Sequence, residues 1–223
     1  METASRMYGW RWQLAQWAER NWWRWYLRNK KPAVYLSRKR SFWSNVLAGL
    51  NCSPLPGSLV LDAGCGPAGI FILLDNCQVD AADPLLPTYE RLPHFRSDAY
   101  PWVRFLDFPI EAFEPQQTYD YIFCMNALNH FSDPQLSLDI LVAALRPGGT
   151  FCFSVDGHKY GWLNAVFRSF PGDILHPHQY QYVHYREMLV RRGLKIEKEV
   201  CWKKGLIFDH HILKAIKIDA NGA

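Results

Sequence analysis

The 223-residue sequence has no long hydrophobic run and no biased tract that would assign it to a specialised class of protein. Its apolar run at Ile70–Leu74 is far shorter than the ~20 residues that a membrane-spanning helix requires. No early basic segment leads into an apolar stretch and a small-residue cleavage site, so we expect no secretory signal. At 49% hydrophobic and 21% charged residues, the composition excludes a disordered, collagen-like or coiled-coil chain. We therefore expect a soluble, globular protein of the cytoplasm.

Cysteine pairs of the kind that bind metal or exchange electrons are also missing. The six cysteines stand at positions 52, 65, 77, 124, 152 and 201, and no two are separated by two residues. Cys124 and Cys152 lie inside apolar runs, where a free cysteine behaves as a small buried hydrophobic residue. The spacing predicts neither a zinc ribbon nor a redox pair, and it is typical of a reducing cytoplasm.

Charge and tryptophan are distributed unevenly along the chain. Residues 1–50 contain ten Lys and Arg against two acidic residues, a charge of +8, whereas residues 51–223 contain fifteen against nineteen, a charge of −4. The first segment also contains seven of the ten tryptophans, at positions 10, 12, 17, 22, 23, 25 and 43. We therefore divide the chain into an aromatic, basic N-terminal cap, residues 1–56, and a main domain, residues 57–223.

The spacing of apolar residues predicts two helices in the cap, over Ser5–Leu27 and Ser37–Leu50. In the first helix, steps of three and four residues place one set of side chains on a single face: Trp10, Leu14, Trp17, Ala18, Trp22 and Trp25. Because Trp12, Trp23 and Tyr26 fall off that face, we expect the helix to contact more than one surface.

The function of the cap is open to several interpretations. We expect it to cover a ligand site with aromatic side chains such as Tyr26 or Tyr35, or to pack on the sheet with its arginines in water. Interleaved aromatic and basic residues also occur where proteins stack single-stranded nucleic acid or lie in a membrane interface. Nucleic acid is the less favoured partner, because the arginines are dispersed among tryptophans rather than aligned in a basic stripe.

After Gly57, short apolar runs alternate with helix-like segments, which is typical of a parallel sheet covered by helices. The predicted strands are Ser58–Leu61, Val79–Ala82, Val103–Leu106, Tyr119–Met125 and Thr150–Val155, followed by two alternating segments, Leu194–Trp202 and His210–Ile218. One helix is predicted to begin within Gly69–Leu74, and two others are predicted over Pro134–Leu145 and Tyr185–Arg192. The chain is therefore expected to fold as an α/β domain.

A glycine-rich turn stands between the first predicted strand and the first predicted helix. Its glycines, Gly64, Gly66 and Gly69, have the G-x-G-x-x-G spacing of nucleotide-binding turns. Asp83 ends the second strand, where a carboxylate can accept hydrogen bonds from both ribose hydroxyls of a dinucleotide or of an adenosyl group. Asp62, directly before the turn, would repel a pyrophosphate and attract an ammonium group. S-adenosylmethionine, an adenosine with no phosphate and a cationic tail, fits this combination.

Four segments in order resemble the class I S-adenosylmethionine-dependent methyltransferases. Leu59-Val-Leu-Asp-Ala-Gly-Cys-Gly-Pro-Ala-Gly69 resembles their first motif, and Val79-Asp-Ala-Ala-Asp-Pro84 their second acidic strand end. The stretch from Tyr119 to Pro134 is similar to the fourth strand and the turn after it, and Leu145-Arg-Pro-Gly-Gly-Thr-Phe151 to the entry of the fifth strand. The resemblance covers residues 57–157 well. It implies a doubly wound, mostly parallel seven-stranded sheet whose last strand is antiparallel.

The resemblance also implies which residues bind the cofactor. Asp62, Gly64, Cys65 and Gly66 would form the floor under its methionine end, Asp83 and Pro84 would lie at the ribose, and Met125 and Asn126 would border the amino group and the sulfonium. For the adenine, either Asp107 or the pair Ile110 and Glu111 is the candidate contact, and the alignment favours the pair. No residue is expected to bind a metal.

Methyl transfer needs alignment of the acceptor with the methyl group and exclusion of water, and a base only where the acceptor must lose a proton. His130, four residues after Asn126, is the candidate base, and the alternative is a histidine that packs beneath the loop. Residues 156–185 follow the fifth strand and are expected to line the acceptor site. His176 and His178 in this segment have the spacing of a metal pair, but no third ligand with convincing spacing joins them.

These observations predict an enzyme that transfers a methyl group to an oxygen or nitrogen of a small-molecule acceptor and releases S-adenosylhomocysteine. One alternative is an NAD(P)-dependent oxidoreductase that uses the same glycine-rich turn. A second is a non-catalytic module that retains the cofactor site. A nucleic-acid methyltransferase is a variant of the main interpretation, but the sequence lacks the Asn-Pro-Pro-aromatic tetrad of enzymes that methylate amino groups of DNA.

Overall fold

A computed structural model describes residues 10–158, 181–205 and 208–219. Within these ranges seven strands form one sheet: β1 Leu59–Ala63, β2 Gln78–Ala82, β3 Val103–Leu106, β4 Tyr119–Met125, β5 Leu145–His158, β6 Leu194–Lys204 and β7 Phe208–Lys217. Their order is β3-β2-β1-β4-β5-β7-β6, and β7 runs antiparallel to both of its neighbours. The α/β fold expected from the sequence, with an antiparallel last strand, is confirmed.

Helices cover both faces of the sheet. The α-helices are α1 Trp10–Leu27, α2 Pro32–Leu50, α3 Leu86–Tyr89, α4 Pro134–Ala144 and α5 Tyr182–Val190. Successive residues of β1 point to opposite faces: Val60 belongs to the core shared with α2, and Leu61 to the core shared with α4 and α5. No helix in the described part of the chain is both long enough and apolar enough to cross a membrane.

The prediction of a helix from Gly69 onward is wrong. Two short 3-10 turns, Gly66–Ala68 and Ile70–Leu73, stand there instead. The chain turns back at once, with the Cys77 N–H donating to the Leu74 carbonyl at 3.0 Å, and β2 begins one residue later. The chain between β1 and β2 therefore folds into two short 3-10 turns, with no α-helix that buries a full face.

The first cap helix presents its faces differently from what its apolar spacing indicates. Trp17 and Trp25, on the face selected by that spacing, are 57% and 60% exposed, and Leu14 is 37% exposed. The buried residues of α1 are Ala15, Gln16 and Leu27. The residues off the expected face include Trp12 and Trp23, and both line the cavity described below. The side of α1 that faces the interior therefore carries polar side chains as well as tryptophans.

The second cap helix joins the cap to the main domain. Trp43, Val46 and Leu50 of α2 are buried in the same core cluster as Phe71. The Trp43 Nε1–H donates to the Ala68 carbonyl at 2.9 Å. Because α2 and the first turn of the domain share one core, the division of the chain after residue 56 stays a prediction based on composition.

Candidate active site

A cavity of about 410 Å³ lies at the carboxyl edge of the sheet, under α1 and α2. A volume in this range is typical of sites for small molecules and cofactors. Ten of the eleven predicted site residues line it: Gly64, Cys65, Gly66, Asp83, Pro84, Ile110, Glu111, Met125, Asn126 and His130. These residues come from the ends of β1, β2, β3 and β4, where parallel strands of an open sheet place their ligand-binding loops.

The floor of the cavity is the turn after β1. Gly64 and Gly66 have φ angles of +71° and +57°, a region that glycine adopts without steric cost. A Cβ atom on Gly64 would stand 2.4 Å from the Cβ of Ala127 in the loop after β4. The N–H of Gly64 donates to the Ala82 carbonyl at 2.8 Å, which ties the turn to the end of β2. The glycines let three chain segments meet closely beneath the cavity.

Asp83 connects the first turn to the end of β2. Its Oδ2 accepts a hydrogen bond from the Gly66 N–H at 2.9 Å, and its Oδ1 accepts one from the Leu85 N–H at 2.8 Å. Burial raises the pKa of Asp83 to about 6, while these two amides oppose the shift. The carboxylate is therefore fixed in place, mostly ionised at pH 7, and at the cavity wall.

Asp62 is the predicted site residue that does not line the cavity. It is 2% exposed, and its Oδ2 accepts a hydrogen bond from the Phe71 N–H at 3.1 Å. Burial raises its pKa to about 7, against the opposing effect of the Phe71 and Ile70 amides. A Cβ on Gly69 would stand 2.4 Å from this carboxylate. In the structure Asp62 holds the second 3-10 turn rather than facing a ligand.

The two candidates for an adenine contact are placed differently. Asp107 is exposed and lies outside the cavity lining, whereas Ile110 and Glu111 line it. Glu111 Oε1 accepts hydrogen bonds from the Ser132 hydroxyl at 2.8 Å and from the Asp133 N–H at 2.9 Å. Its Oε2 is buried and has no hydrogen-bond partner among the described residues. Glu111 thus offers one free acceptor oxygen beside the cavity.

The loop after β4 forms another wall. Asn126 has a φ of +53°, and its N–H donates to the Ser154 carbonyl of β5 at 2.9 Å. Among residues with side chains, asparagine tolerates this left-handed conformation best. The loop continues through a 3-10 turn, Leu128–His130, and brings the His130 ring to the cavity.

The cap supplies a carboxylate that the sequence analysis missed. Glu19 of α1 lines the cavity, and its Oε2 lies 3.8 Å from Nδ1 of His130. Its Oε1 accepts a hydrogen bond from Trp23 Nε1–H at 3.4 Å. Burial, and then the nearby charge of Asp83, raise the pKa of Glu19 to about 8. Glu19 is the sole acidic residue of α1, and this isolation among aromatic and basic residues is the signal that could have identified it.

A second histidine in the cavity was also missed. His210 of β7 lines it, and its Nδ1 is 2.8 Å from Asp156 Oδ1. The two residues face each other because β7 pairs antiparallel with β5 in the register Asp156↔His210. Only the strand pairing brings them together, since 54 positions separate them in sequence.

Aromatic side chains and one lysine from the cap complete the lining. The rings belong to Trp12, Trp22, Trp23, Tyr35, Phe42 and Trp43. Tyr35 is buried, and its hydroxyl has no hydrogen-bond partner within the part of the chain that the structure describes. Lys39 of α2 lines the cavity, and burial lowers its pKa. The cap therefore gives the cavity an apolar roof with a carboxylate and an ammonium group.

Of the segment expected to line the acceptor site, residues 156–185, the two ends are described. Residues 159–180, which include His176 and His178, lie outside the described residues. Among the described residues, Cys201, Asp209 and His211 place potential ligand atoms within 4.8 Å of one another on β6 and β7. None of the three lines the cavity.

Comparison with known proteins identifies the family. The family described as a methyltransferase domain matches residues 35–199, about three quarters of the chain. The chain is 33% identical over 104 residues to a ubiquinone biosynthesis O-methyltransferase of Xanthomonas campestris pv. campestris (strain B100), which covers 45% of this chain and 44% of that protein. It is 30% identical over 135 residues to a tRNA U34 carboxymethyltransferase of Alteromonas mediterranea, which covers 55% and 40%. The chain spans less than half the length of these two curated relatives.

Solved structures share the fold. The N-methyltransferase NodS from Bradyrhizobium japonicum WM9, in complex with S-adenosyl-L-homocysteine, matches with a TM-score of 0.61 at 17% identity, covering 87% of this chain and 92% of that chain. The [4+2]-cyclase SpnF matches with a TM-score of 0.62 at 14% identity, covering 81% and 80%. One fold therefore hosts different reactions. The family match and the strand order together show that the chain belongs to the class I S-adenosylmethionine-dependent methyltransferases.

Proposed function

We propose that this chain transfers a methyl group from S-adenosylmethionine to an oxygen or nitrogen atom of a small-molecule acceptor in the cytoplasm. The observation that carries the proposal is the convergence of the Gly64 turn, Asp83 and Glu111 on one cavity at the carboxyl edge of the sheet. The relatives named O-methyltransferase and N-methyltransferase support both acceptor atoms. The cysteine spacing, which forms no disulfide framework, supports the location.

The residues present fit the cofactor. Gly64, Cys65 and Gly66 of the turn line the cavity, where their backbone can approach a ligand closely. Among the described residues, the buried Glu111 Oε2 is an acceptor without a donor. Asp83 would accept hydrogen bonds from the ribose hydroxyls, and Glu111, beside Ile110, would accept one from the adenine amine. Lys39 would neutralise the carboxylate of the methionine end. When bound, S-adenosylmethionine supplies a methyl group on positively charged sulfur, which a nucleophile can displace.

Asp62 acts, in this proposal, through the turn. Its carboxylate holds the Phe71 amide and so fixes the 3-10 turn that follows the glycines. The cofactor's ammonium group would instead be bordered by Met125, Asn126 and the backbone of Cys65, as the resemblance implies.

His130 is proposed as the base that takes a proton from the acceptor, with Glu19 as its positioning residue. The 3.8 Å between Glu19 Oε2 and His130 Nδ1 lets the Glu19 side chain orient the ring. His210 is the second candidate, supported by its 2.8 Å contact with Asp156. Replacing each histidine by glutamine in turn distinguishes the two candidates. Loss of the true base should reduce kcat, and the reduction should be larger for acceptors whose own pKa is higher.

The acceptor is proposed to be a flat, largely apolar molecule. Tryptophans 12, 22 and 23 and Phe42 line the cavity from the cap, and rings favour stacked or edge-to-face contact with another ring. Residues 156–185, which run from the end of β5 into α5, are proposed to line the acceptor site. An unbiased metabolite extract is therefore the starting point for finding the acceptor.

Binding and turnover test the proposed function. We expect titration calorimetry to show binding of S-adenosylhomocysteine and no binding of NADH. We also expect the full chain to transfer label from methyl-labelled S-adenosylmethionine to at least one compound of a metabolite extract, and the Asp83→Ala variant to lose this transfer. Binding of NADH without S-adenosylhomocysteine would support the oxidoreductase alternative. Cofactor binding without transfer to any compound would support the non-catalytic module.

A further inference from the structure

The outer face of α1 carries exposed tryptophans next to a row of arginines. We define this outer face by Leu14, Trp17, Arg24, Trp25 and Arg28, all of which are exposed. Arg20 and Arg24 stand four residues apart in α1, and Arg28 follows the last residue of the helix, with its N–H donating to the Arg24 carbonyl at 3.1 Å. The three arginines therefore form one row. The sequence analysis treated these arginines as dispersed, but the helix aligns them beside the row of Leu14, Trp17 and Trp25. The guanidinium of Arg28 lies over the Trp25 ring, 6.0 Å from its centre.

The charged side chains of this outer face are all positive. Glu19, the sole acid of α1, points into the cavity on the opposite side of the helix. The exposed arginines therefore have no carboxylate of α1 beside them to neutralise the face. Residues 1–50 as a whole carry +8 against −4 for the remainder. A partner that covers this face must be anionic and must accept indole rings.

We propose that the outer face of α1 docks on an anionic membrane surface. Tryptophan is favoured at the boundary between lipid headgroups and hydrocarbon, and basic side chains beside it bind anionic headgroups. A helix that lies flat in the interface has one apolar and one basic row of this kind. Docking would place α1 between the bilayer and the cavity, because the opposite side of the same helix lines the cavity.

Two other kinds of partner fit the outer face of α1 less well: a second copy of the chain and single-stranded nucleic acid. A second copy of the chain related by two-fold symmetry would bring the arginine rows of both copies together, which costs free energy through like-charge contact. Single-stranded nucleic acid is bound by aromatic rings that line a basic groove, whereas Trp17 and Trp25 project from the convex side of one helix. The proposal does not depend on the methyl acceptor, and it survives if the proposed function fails.

Vesicle flotation with the full chain tests the proposal. We expect the protein to float with vesicles of phosphatidylcholine and phosphatidylglycerol (3:1), to float weakly with phosphatidylcholine alone, and to detach from the anionic vesicles in 0.5 M salt. The variant Trp17→Ala/Trp25→Ala should lose most of the bound fraction. Arg24→Gln/Arg28→Gln should weaken partition by roughly fivefold per arginine.

Matched variants elsewhere on the surface serve as controls. Lys203→Gln/Lys204→Gln removes two exposed positive charges from β6, and Leu136→Ala/Val183→Ala removes two exposed apolar side chains. Both should float like the unaltered chain. All variants should keep their affinity for S-adenosylhomocysteine, since none of these side chains lines the cavity.

Several results would overturn the proposal. These are absence of binding to anionic vesicles, equal binding to both lipid mixtures, or loss of binding in the control variants to the same extent. A dimer in solution that the tryptophan variant dissociates, or binding of a single-stranded oligonucleotide in place of vesicles, would assign the outer face to another partner.

Discussion

At the scale of single residues, the cavity is defined by carboxylates held in place by buried contacts. Burial raises the pKa of Glu19 to about 8 and that of Asp83 to about 6. The charge of Asp83 also contributes to the raised pKa of Glu19, because two negative charges in a poorly hydrated site repel. A cationic ligand would relieve this repulsion. The electrostatics therefore favour a ligand with positive charge and hydroxyl donors over one with phosphates.

The first prediction concerns Asp83. Asp83→Ala removes an acceptor of charge-assisted hydrogen bonds, so we expect S-adenosylmethionine binding to weaken by about 1.5–3 kcal/mol. Asp107→Ala is the matched control, because Asp107 is exposed and outside the cavity lining. Titration calorimetry measures both. Equal affinity of the Asp83 variant and the unaltered chain would contradict the ribose assignment.

The second prediction concerns the proton on Glu19. At pH 7 a carboxyl group with a pKa of about 8 is mostly protonated, and a sulfonium beside it would lower that pKa. We therefore expect S-adenosylmethionine binding to release protons, and S-adenosylhomocysteine, which lacks the sulfonium charge, to release fewer. Calorimetry in buffers of different ionisation enthalpy measures the number of protons released with each ligand. Glu19→Gln should abolish the difference between the two ligands, and a variant that keeps it would refute the assignment.

At the scale of elements, strands were predicted better than helices. Val103–Leu106 and Tyr119–Met125 match β3 and β4 at both ends. β4 was predictable because it is buried over most of its length and is therefore a nearly continuous apolar run between polar turns. The helix expected after Gly69 is absent, since the return to β2 follows within a few residues. The face of α1 was not predictable from apolar spacing, because that spacing assumes that the apolar side faces the interior.

The site residues that were predicted belong to motifs at the ends of strands. The site residues that were missed reach the cavity only through the arrangement of helices and strands in the fold. Gly64, Asp83 and Asn126 each follow a strand, and the parallel sheet brings strand ends together. Glu19 comes from the cap, and His210 meets Asp156 only through the antiparallel pairing of β5 and β7. No local sequence pattern carries either contact.

The third prediction tests the close approach beneath the glycine turn. Gly64→Ala and Gly148→Ala both place a side chain on left-handed backbone, with φ of +71° and +67°. Only the first also meets an obstacle, the Ala127 Cβ at 2.4 Å, whereas nothing lies within 4 Å at Gly148. We expect both variants to lose about 1 kcal/mol from backbone strain, and Gly64→Ala to lose about 1–3 kcal/mol more from overpacking. Denaturant unfolding measures both, and equal losses would contradict the described packing.

At the scale of the whole molecule, the cap and the sheet act as one structure. Trp43 of α2 shares a core with Phe71, and the main-chain carbonyl of Lys30 contacts Nε2 of His94 at 2.7 Å. The cavity lies between these parts, so its buried acidic groups affect the stability of the entire fold. In the proposed membrane docking, the uneven charge of the two parts would orient the molecule toward an anionic surface through the cap.

The fourth prediction follows from the pKa of Glu19. Its folded-state pKa of about 8 lies above the ordinary value of 4.5, so the folded chain binds more protons across that window. This contribution to stability is complete below about pH 4.5 and is lost as pH rises through about 8. We expect Glu19→Gln to be more stable than the unaltered chain at pH 9, by on the order of 2–4 kcal/mol, and to differ little at pH 4.5. Thermal or denaturant unfolding at both pH values measures this, and an equal effect of the substitution at both would refute the burial of the charge.

The central claim is that the cavity holds the nucleoside of S-adenosylmethionine between Asp83 and Glu111. The most direct measurement is a crystal structure of the full chain with S-adenosylhomocysteine. We predict ribose hydroxyls within about 3.2 Å of the Asp83 carboxylate and the adenine amine at Glu111 Oε2. A nucleoside bound elsewhere, or a cavity closed by Glu19 and the tryptophans of α1 with the ligand excluded, would contradict the account.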